Sequence, residues 1–530
     1  MVSSHLTVLE SSSIKYASAT LFRTPHLDAN GRVQQWRSVT YKQFHSDVEL
    51  YARYWTRVLR SQGLPPRSVV GMWLSGFTYA DVLHIYGLSR AGYIPQMFSL
   101  RLPNPDVIYE LLQRTGARAI IYEPSFESIL ANCPVHSYRA LQPNQVECVS
   151  ASLPNIWDIR EDDLAFIFHT SGSTSGSPKL VPLTYRWVNS MVLKSHHISK
   201  PKRQDRQDVT VCMGSMCHIG QTFMFVGTFQ HGSCVIQPTA IGFSSEELVD
   251  MVVRCGLNRL NQFGAFLMNH FRNARQDGRL LSLLTSLDEV LYSGMPLPIE
   301  DEQWALKSGI KLRNLFGSTE LGAMLISGDN ERNRALLQAL PGTSYRFDPI
   351  TSEEEGVHQS NAILYELVIL SSSPDCPESH LRQSDGHFHT GDLFQQILPG
   401  WFVSRGRDDD WIKSETSLRC DTKAIEDNVR AMCPGLIAEC VVVGSGRPSP
   451  VMFIEPAIDM DESKFKKEIL RKTRHFHSRR YLHERITSTN MIVIVPKQSL
   501  PRTATKGNIR RRAVEDAFKT QIDQIFGRTQ

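Results

Sequence analysis

Between Thr40 and Tyr122 the sequence alternates between two kinds of hydrophobic pattern, and that alternation restricts the fold more than any other feature. After Val39-Thr40-Tyr41, apolar residues recur at Phe44, Val48, Leu50, Tyr51, Tyr54, Trp55, Val58 and Leu59. This is the spacing of a helix, with Thr40 placed to cap it. The helix should stop at Gly63, ahead of Pro65 and Pro66, because glycine accepts the left-handed turn that closes a helix and proline cannot continue one. Val69 to Leu74 reads as a buried strand, Tyr79 to Arg90 as a second helix ending at Gly92, and Tyr93-Ile94-Pro95 as the start of another strand. A third helix near Pro105 to Thr115 precedes a strand from Ala117 to Tyr122. Strands alternating with helices predict a parallel, doubly wound α/β sheet.

The stretch from Leu164 to Lys179 bears most directly on chemistry. Leu164-Ala165-Phe166-Ile167-Phe168 is an apolar run that reads as a buried strand. It breaks into His169-Thr170-Ser171-Gly172-Ser173-Thr174-Ser175-Gly176-Ser177-Pro178-Lys179. Glycines let backbone amides close on an anion, and the hydroxyls and one lysine add donors, so the loop is equipped for a polyphosphate. It is not a Walker loop, because Lys179 follows Pro178 rather than a glycine. A flexible Ser/Gly linker is the competing reading, but linkers rarely sit directly behind a buried strand.

A chain of 530 residues has room for two or more domains and a large core. Hydrophobic residues make up 41% and charged residues 21%, within the ordinary globular range. A net charge of +4 gives no case for nucleic acid. Lys and Arg crowd from Lys464 to Arg512, which reads first as a solvated helix face and second as a contact for an anionic partner. The ten cysteines are scattered without a Cys-x-x-Cys pair, so neither zinc nor a disulfide framework is expected, and reduced thiols suit a cytoplasmic protein. Met1 to Glu10 is polar and has no signal-like apolar core, and no run of about 18 apolar residues suggests a membrane span.

Farther along, Thr184 should cap a helix through Trp187, Val188 and Met191. Arg203 to Asp208 reads as charged surface, Val209 to Met213 as a strand and Gly220 to Gly232 as a buried helix. Cys234 to Gln237 and Leu312 to Phe316 read as strands, Ser244 to Cys255 as a helix, and Ser371 to Gly386 as a loop or linker. A strand from Trp401 to Ser404 ends at Arg405-Gly406-Arg407-Asp408-Asp409-Asp410, where the domain boundary is placed. This divides the chain into residues 1–407 and 408–530, the latter with its own strands and helices.

The order of motifs is specific. A Ser/Thr/Gly loop with Pro178-Lys179 is followed by Cys217-His218-Ile219-Gly220 and then Ser293-Gly294-Met295-Pro296. Next come Asn314-Leu315-Phe316-Gly317-Ser318-Thr319-Glu320, Thr390-Gly391-Asp392, Gly406-Arg407, and Pro501-Arg502-Thr503 with Lys506-Gly507. From about Thr40 to Arg511 the chain resembles the adenylate-forming superfamily of acyl- and aryl-CoA ligases, luciferases and adenylation domains of peptide-synthetase-like enzymes. The run Phe168 to Thr174 is most similar to adenylation domains of secondary metabolism. The resemblance implies a large N-terminal domain of doubly wound sheets and a smaller, mobile α+β C-terminal domain.

It also implies roles. Thr170, Ser171, Gly172, Ser173, Thr174 and Lys179 would hold the β- and γ-phosphates of ATP, Thr319 would touch the α-phosphate, and Glu320 would ligate Mg²⁺. Gly294, Asn314, Gly317 and Ser318 would line the nucleotide, with Phe316 against adenine. Asp392 would accept from the ribose hydroxyls with Arg407 behind it, and Asp409 would be the hinge on which the C-terminal domain turns. The lysine that bridges carboxylate and phosphate in the family aligns with Asn508, so Lys506, two residues earlier and on the same side of an extended loop, takes that role. Two further departures are an extra residue, Ser175, in the phosphate loop and Ser414 to Ser417 where a glycine is usual.

His218 and Gly220 match the turn that lines the acid pocket. No Asp or Glu lies between Val209 and Gly232, so a buried α-ammonium would be unpaired at a cost of several kcal/mol. The expected substrate is an aryl, fatty or α-keto acid without a free α-amino group. The expected acceptor is the thiol of CoA or of a carrier-protein phosphopantetheine. A nucleotide- or acyl-binding protein that has lost catalysis is the alternative, favoured by the Lys506/Asn508 placement and the longer loop.

Overall fold

A computed structural model describes the whole chain except residues 1, 101, 103, 131, 171–177, 331, 351–362, 409–410, 414, 416–418, 479, 481, 503–508 and 528–530. The early alternation folds into a six-stranded sheet ordered His136–Arg139, Ala119–Tyr122, Val69–Leu74, Ile94–Ser99, Leu164–Thr170, Lys179–Thr184. Its first five strands are parallel and the last is antiparallel. Met72 and Leu74 pack into one core with helices Tyr41–Ser61 and Tyr79–Arg90, while Trp73 between them packs into another with helix Pro105–Thr115. A strand covered on both faces needs apolar residues at every position, which is why this segment has no polar alternation. Thr40 caps its helix by accepting from the Gln43 amide at 3.2 Å, and Gly63 and Gly92 both take positive φ just beyond helix ends.

A nine-stranded sheet begins with three parallel strands, Arg259–Phe263, Glu289–Ser293 and Leu312–Ser318, and then turns antiparallel at Gly322–Ser327. The parallel expectation therefore holds for the wound parts and fails at two connections. Three residues, 319–321, separate Leu312–Ser318 from Gly322–Ser327, far too few for the crossover that a parallel partner requires. The connection from Thr170 to Lys179 is likewise a hairpin rather than a strand-to-helix turn.

Other expectations are corrected. Asp208 is not surface: it is buried and pairs with Arg259 at 2.9 Å, and Arg259 also holds Glu289 at 2.6 Å. The segment 371–386 is a loop, but Ser373 and Asp375 within it are buried, so it is anchored in the molecule rather than a linker. The polar N-terminus contains a helix, His5–Lys15, capped reciprocally by Ser4 and Thr7. Its buried face mixes Leu6 and Leu9 with His5, Thr7, Ser12 and Ser13, so hydrophobic periodicity alone does not reveal it.

Beyond residue 410, helices Thr422–Met432 and Glu462–Ser478 pack with a sheet of Ile437–Val443, Val451–Pro456 and Ile492–Ile494. Its two apolar clusters draw only on residues from Ile412 onward. Several of the crowded basic side chains are matched by acids, including Lys466 with Glu462, Arg471 with Glu468, and Arg502 with Glu455. All ten cysteines are free, and no helix among the described residues is long and apolar enough to cross a membrane.

Helices Tyr41–Ser61 and Tyr79–Arg90 touch at Gly87, where an added Cβ would lie 2.6 Å from the Cβ of Tyr51. Gly87→Ala should destabilise the fold by roughly 1–3 kcal/mol through overpacking, despite the better helix propensity of alanine. The denaturation midpoint of the variant, compared with that of the parent, checks this.

Candidate nucleotide and acid site

The carboxyl ends of parallel strands in wound sheets are where ligands bind, since loops and helix starts converge there. In this molecule the strand ends of two sheets meet at the loop 212–218. Ser215 Oγ donates to the Ser75 carbonyl just past strand Val69–Leu74, and the Met216 amide donates to the Gly76 carbonyl at 2.7 Å. His218 stands at the start of helix Ile219–Gln230, with Nε2 3.4 Å from the Ser99 hydroxyl at the end of strand Ile94–Ser99. In the nine-stranded sheet, Phe263 and Ser293 end their strands in register, and Leu315 lies beside Ser293 within the next strand.

Thr170 and Lys179 face each other at the mouth of the phosphate-loop hairpin, with Lys179 exposed. Ser171, Gly172, Ser173, Thr174 and the extra Ser175 lie outside the described residues. The strand leading in is held by a residue to which the sequence reading gave no role. His169 stacks on Phe98 with ring centroids 4.6 Å apart and donates from Nδ1 to the Met97 carbonyl at 2.9 Å. Its Nε2 then accepts from the Gln96 amide at 3.1 Å, and Gln96 Oε1 accepts from the Thr115 hydroxyl at 2.7 Å. This tautomer follows from the network. Burial lowers the His169 pKa to about 4, so the ring is neutral and adds no charge beside the loop.

Helix Tyr185–Ile198 follows the hairpin, capped by Thr184 as expected. Its Trp187 donates from Nε1 to the Glu320 carbonyl at 3.1 Å, joining the hairpin to the turn that carries Thr319 and Glu320. Asn314, Phe316, Gly317 and Ser318 lie on the strand before that turn. Gly317 leaves no room for a side chain: a Cβ there would sit 2.4 Å from the Gly322 carbonyl oxygen. Phe316 is half-buried and meets Phe394 edge-on at 5.3 Å. The Ser318 hydroxyl is buried and has no hydrogen-bond partner among the described residues. An orphaned donor in this motif fits a ligand oxygen.

Asp392 is buried, its backbone amide donating to Thr390 Oγ1 at 3.0 Å. Arg407, its cross-strand partner, places Nη1 3.5 Å from Asp392 Oδ1. Gly391 has φ +68°, and a Cβ there would approach Arg407 Nη2 to 3.3 Å. The Gly391 amide donates to Glu366, which also holds His389 at 3.0 Å, with Asp385 on the other ring nitrogen. Burial works against the charged His389 ring, but the two carboxylates outweigh it and raise its pKa.

Gly294, at φ +87°, and Gly214 flank the ring of Phe263: a Cβ on either would come within 3.2 or 2.8 Å of that ring. Phe263 thus stands at the strand ends between the loop 212–218 and Gly294. Nothing in the sequence reading singled it out, because one aromatic after an ordinary strand pattern carries no local signal. Glu320 suits Mg²⁺, which binds through one or two carboxylates plus phosphate oxygens rather than an all-protein cage. No cluster of three or more His, Cys, Asp or Glu side chains that could hold a metal occurs among the described residues. Asp409 and Lys506 lie outside the described residues, as does Asn508.

Comparison with known proteins gives the family. The family model for AMP-binding enzyme matches residues 19–346, and that for the AMP-binding enzyme C-terminal domain matches residues 409–530. The chain belongs to the adenylate-forming superfamily. It is 38% identical over 515 residues to the AMP-binding domain-containing enzyme iboA of Amanita muscaria (strain Koide BX008), covering 94% of this chain and 98% of that one. It is 24% identical over 470 residues to the adenylate-forming reductase stbB of Stachybotrys bisbyi, covering 84% of this chain but only 41% of the reductase. Its fold is similar to that of O-succinylbenzoate coenzyme A synthetase from Bacillus subtilis in complex with AMP. The TM-score is 0.75 at 14% identity, over 97% of this chain and 98% of the synthetase.

Because Gly317 has no space for a methyl group, Gly317→Ala should push the strand away from Gly322 and cut adenylation by about 10²-fold. Pyrophosphate release, compared at equal circular dichroism, measures it; an unchanged rate would remove Gly317 from the site.

Proposed function

We propose that this adenylate-forming enzyme activates a carboxylic acid with ATP to an acyl-AMP and then passes the acyl group to a thiol. The observation that carries the reading is the Trp187 bond that joins the phosphate-loop hairpin to the Thr319–Glu320 turn, with Phe316 before that turn meeting Phe394 of the Asp392 strand. In the first step a carboxylate oxygen bonds to the α-phosphorus and the bond to the leaving pyrophosphate breaks. Both reactants are anions, so positioning and charge stabilisation supply most of the catalysis. Lys179, with the hydroxyls and amides from Thr170 to Thr174, holds the β- and γ-phosphates, while Thr319 donates to an α-phosphate oxygen. Glu320 holds Mg²⁺, which when bound offsets phosphate charge. Phe316 lies against adenine, with Gly294, Asn314, Gly317 and Ser318 lining the nucleotide. Asp392 accepts from the ribose hydroxyls, oriented by Arg407.

Lys506 bridges the carboxylate and the α-phosphate. In the second step the C-terminal domain turns on Asp409 and a thiolate attacks the acyl carbon, expelling AMP. CoA is the proposed acceptor, and a carrier-protein phosphopantetheine is the variant. The acid is an aryl, fatty or α-keto acid in secondary metabolism, bound beside His218 and Phe263. The lack of any Asp or Glu from Val209 to Gly232 argues against a free α-amino group.

A pyrophosphate-release assay with ATP, Mg²⁺ and a panel of aryl, fatty, α-keto and α-amino acids tests this. Release is expected with at least one acid lacking the α-amino group. Release with none would favour a nucleotide- or acyl-binding protein without catalysis, and release with α-amino acids alone would overturn the substrate class. Lys506→Ala should slow acyl-AMP formation by ~10²–10³, and an intact rate would remove that lysine from its role. Adding CoA, then carrier proteins, to the active pair identifies the acceptor.

A further inference from the structure

The helix that follows the phosphate-loop hairpin carries a buried cation that the mechanism above does not use. Lys194 lies seven residues, two turns, beyond Trp187 on helix Tyr185–Ile198, so the two side chains share a face. Its side chain is 2% exposed and that of its partner Asp375 is fully buried. The ammonium donates to Asp375 Oδ2 at 2.9 Å, to the Leu321 carbonyl at 2.8 Å and to the Ala323 carbonyl at 2.7 Å. With the Trp187 bond to the Glu320 carbonyl, one helix face grips carbonyls at 320, 321 and 323, immediately after Thr319. Gly322, at φ +65°, lets the Trp187 ring come within 3.3 Å of where its Cβ would stand. Asp375 is held in turn by the hydroxyls of Ser373 and Tyr345.

A buried ion pair is a poor source of stability, since well-packed apolar side chains do as well or better. What this one supplies is direction. An apolar side chain at 194 could fill the space but could not fix the two carbonyls. Burial alone would discharge the lysine, and Asp375 opposes that.

We propose that Lys194, locked by Asp375, is a positioning residue that fixes the Thr319–Glu320 turn to the helix leaving the phosphate loop. The α-phosphate donor and the metal carboxylate then keep a constant distance from the groups on the β- and γ-phosphates. The inference rests on the proposed role of that turn. It separates the two ends of the nucleotide: the phosphate and metal end depends on the clamp, whereas the ribose end, held by Asp392 and Arg407 on other strands, does not.

The test uses the double variant Lys194→Met/Asp375→Asn, which removes both charges together. Mn²⁺ binding to the protein in the presence of ATP and absence of acid, read by electron paramagnetic resonance, should weaken by about 10-fold or more. Calorimetric binding of adenosine, which lacks the α-phosphate, should stay close to the parent value. Pyrophosphate release should fall by about 10²-fold. Parent-like Mn²⁺ binding would overturn the proposal, and so would an equal loss of adenosine and Mn²⁺ binding, which marks general damage. Should the double variant fail to fold, Trp187→Phe removes only the bond to the Glu320 carbonyl. It should weaken Mn²⁺ binding with ATP while sparing adenosine, and no change would equally overturn the clamp. Failure of the parent protein itself to bind Mn²⁺ with ATP would instead sink the functional reading.

Discussion

The close approach at Gly76 is the constraint on which the rest of this architecture depends. Gly76 has φ +65°, and a Cβ there would lie 2.4 Å from Ser215 Oγ and 2.8 Å from the Cys217 amide. Without a side chain it lets the end of strand Val69–Leu74 touch the loop 212–218, joining the six-stranded sheet to the acid-pocket turn. Gly214 in the same loop receives the ring of Phe263 and so ties in the nine-stranded sheet. The strand ends of the two sheets are thereby brought to one place. The site exists because these backbones come closer than side chains would allow.

The electrostatics follow a consistent plan. Groups proposed to meet phosphate are cationic or are neutral donors, as with Lys179 and the hydroxyls around it. His169 next to them is kept neutral by burial, its ring spent on the Met97 carbonyl and Gln96. The one carboxylate assigned to metal, Glu320, stands at a turn rather than in an acidic cluster, which suits an ion that arrives with the nucleotide. Farther away, charges that cannot reach solvent are satisfied within the protein, as Arg259 is by Asp208 and Glu289. Such pairs define geometry more than they add stability.

Much of the wound framework was legible because its signals are local. The helices Tyr79–Arg90 and Pro105–Thr115 have the limits that periodicity, caps and glycines predict, since each residue type reports on its own backbone. The helix at His5–Lys15 escaped because hydroxyls and a histidine occupy much of its buried face. The turn from parallel to antiparallel pairing at Gly322 escaped because strand direction is decided by connection length and partner, not by composition. Motif order marked Asn314 to Glu320, Asp392 and Arg407 as belonging together, and in the fold they lie in one sheet, where Phe316 meets Phe394 of the Asp392 strand. The supports beneath them were invisible. Lys194 and Asp375 meet across 181 residues of sequence, and Phe263 meets Gly214 and Gly294 across 49 and 31, and no spacing rule reaches that far.

The central claim is that the hairpin mouth at Thr170 and Lys179 and the turn at Thr319 and Glu320 grip opposite sides of one triphosphate. A crystal structure of this protein with Mg²⁺ and a non-hydrolysable ATP analogue tests it most directly. The account predicts the β- and γ-phosphates against the loop that ends at Lys179, the metal on the Glu320 carboxylate, and the ribose on Asp392. A triphosphate bound elsewhere, with these side chains still in contact only with protein or water, would contradict it.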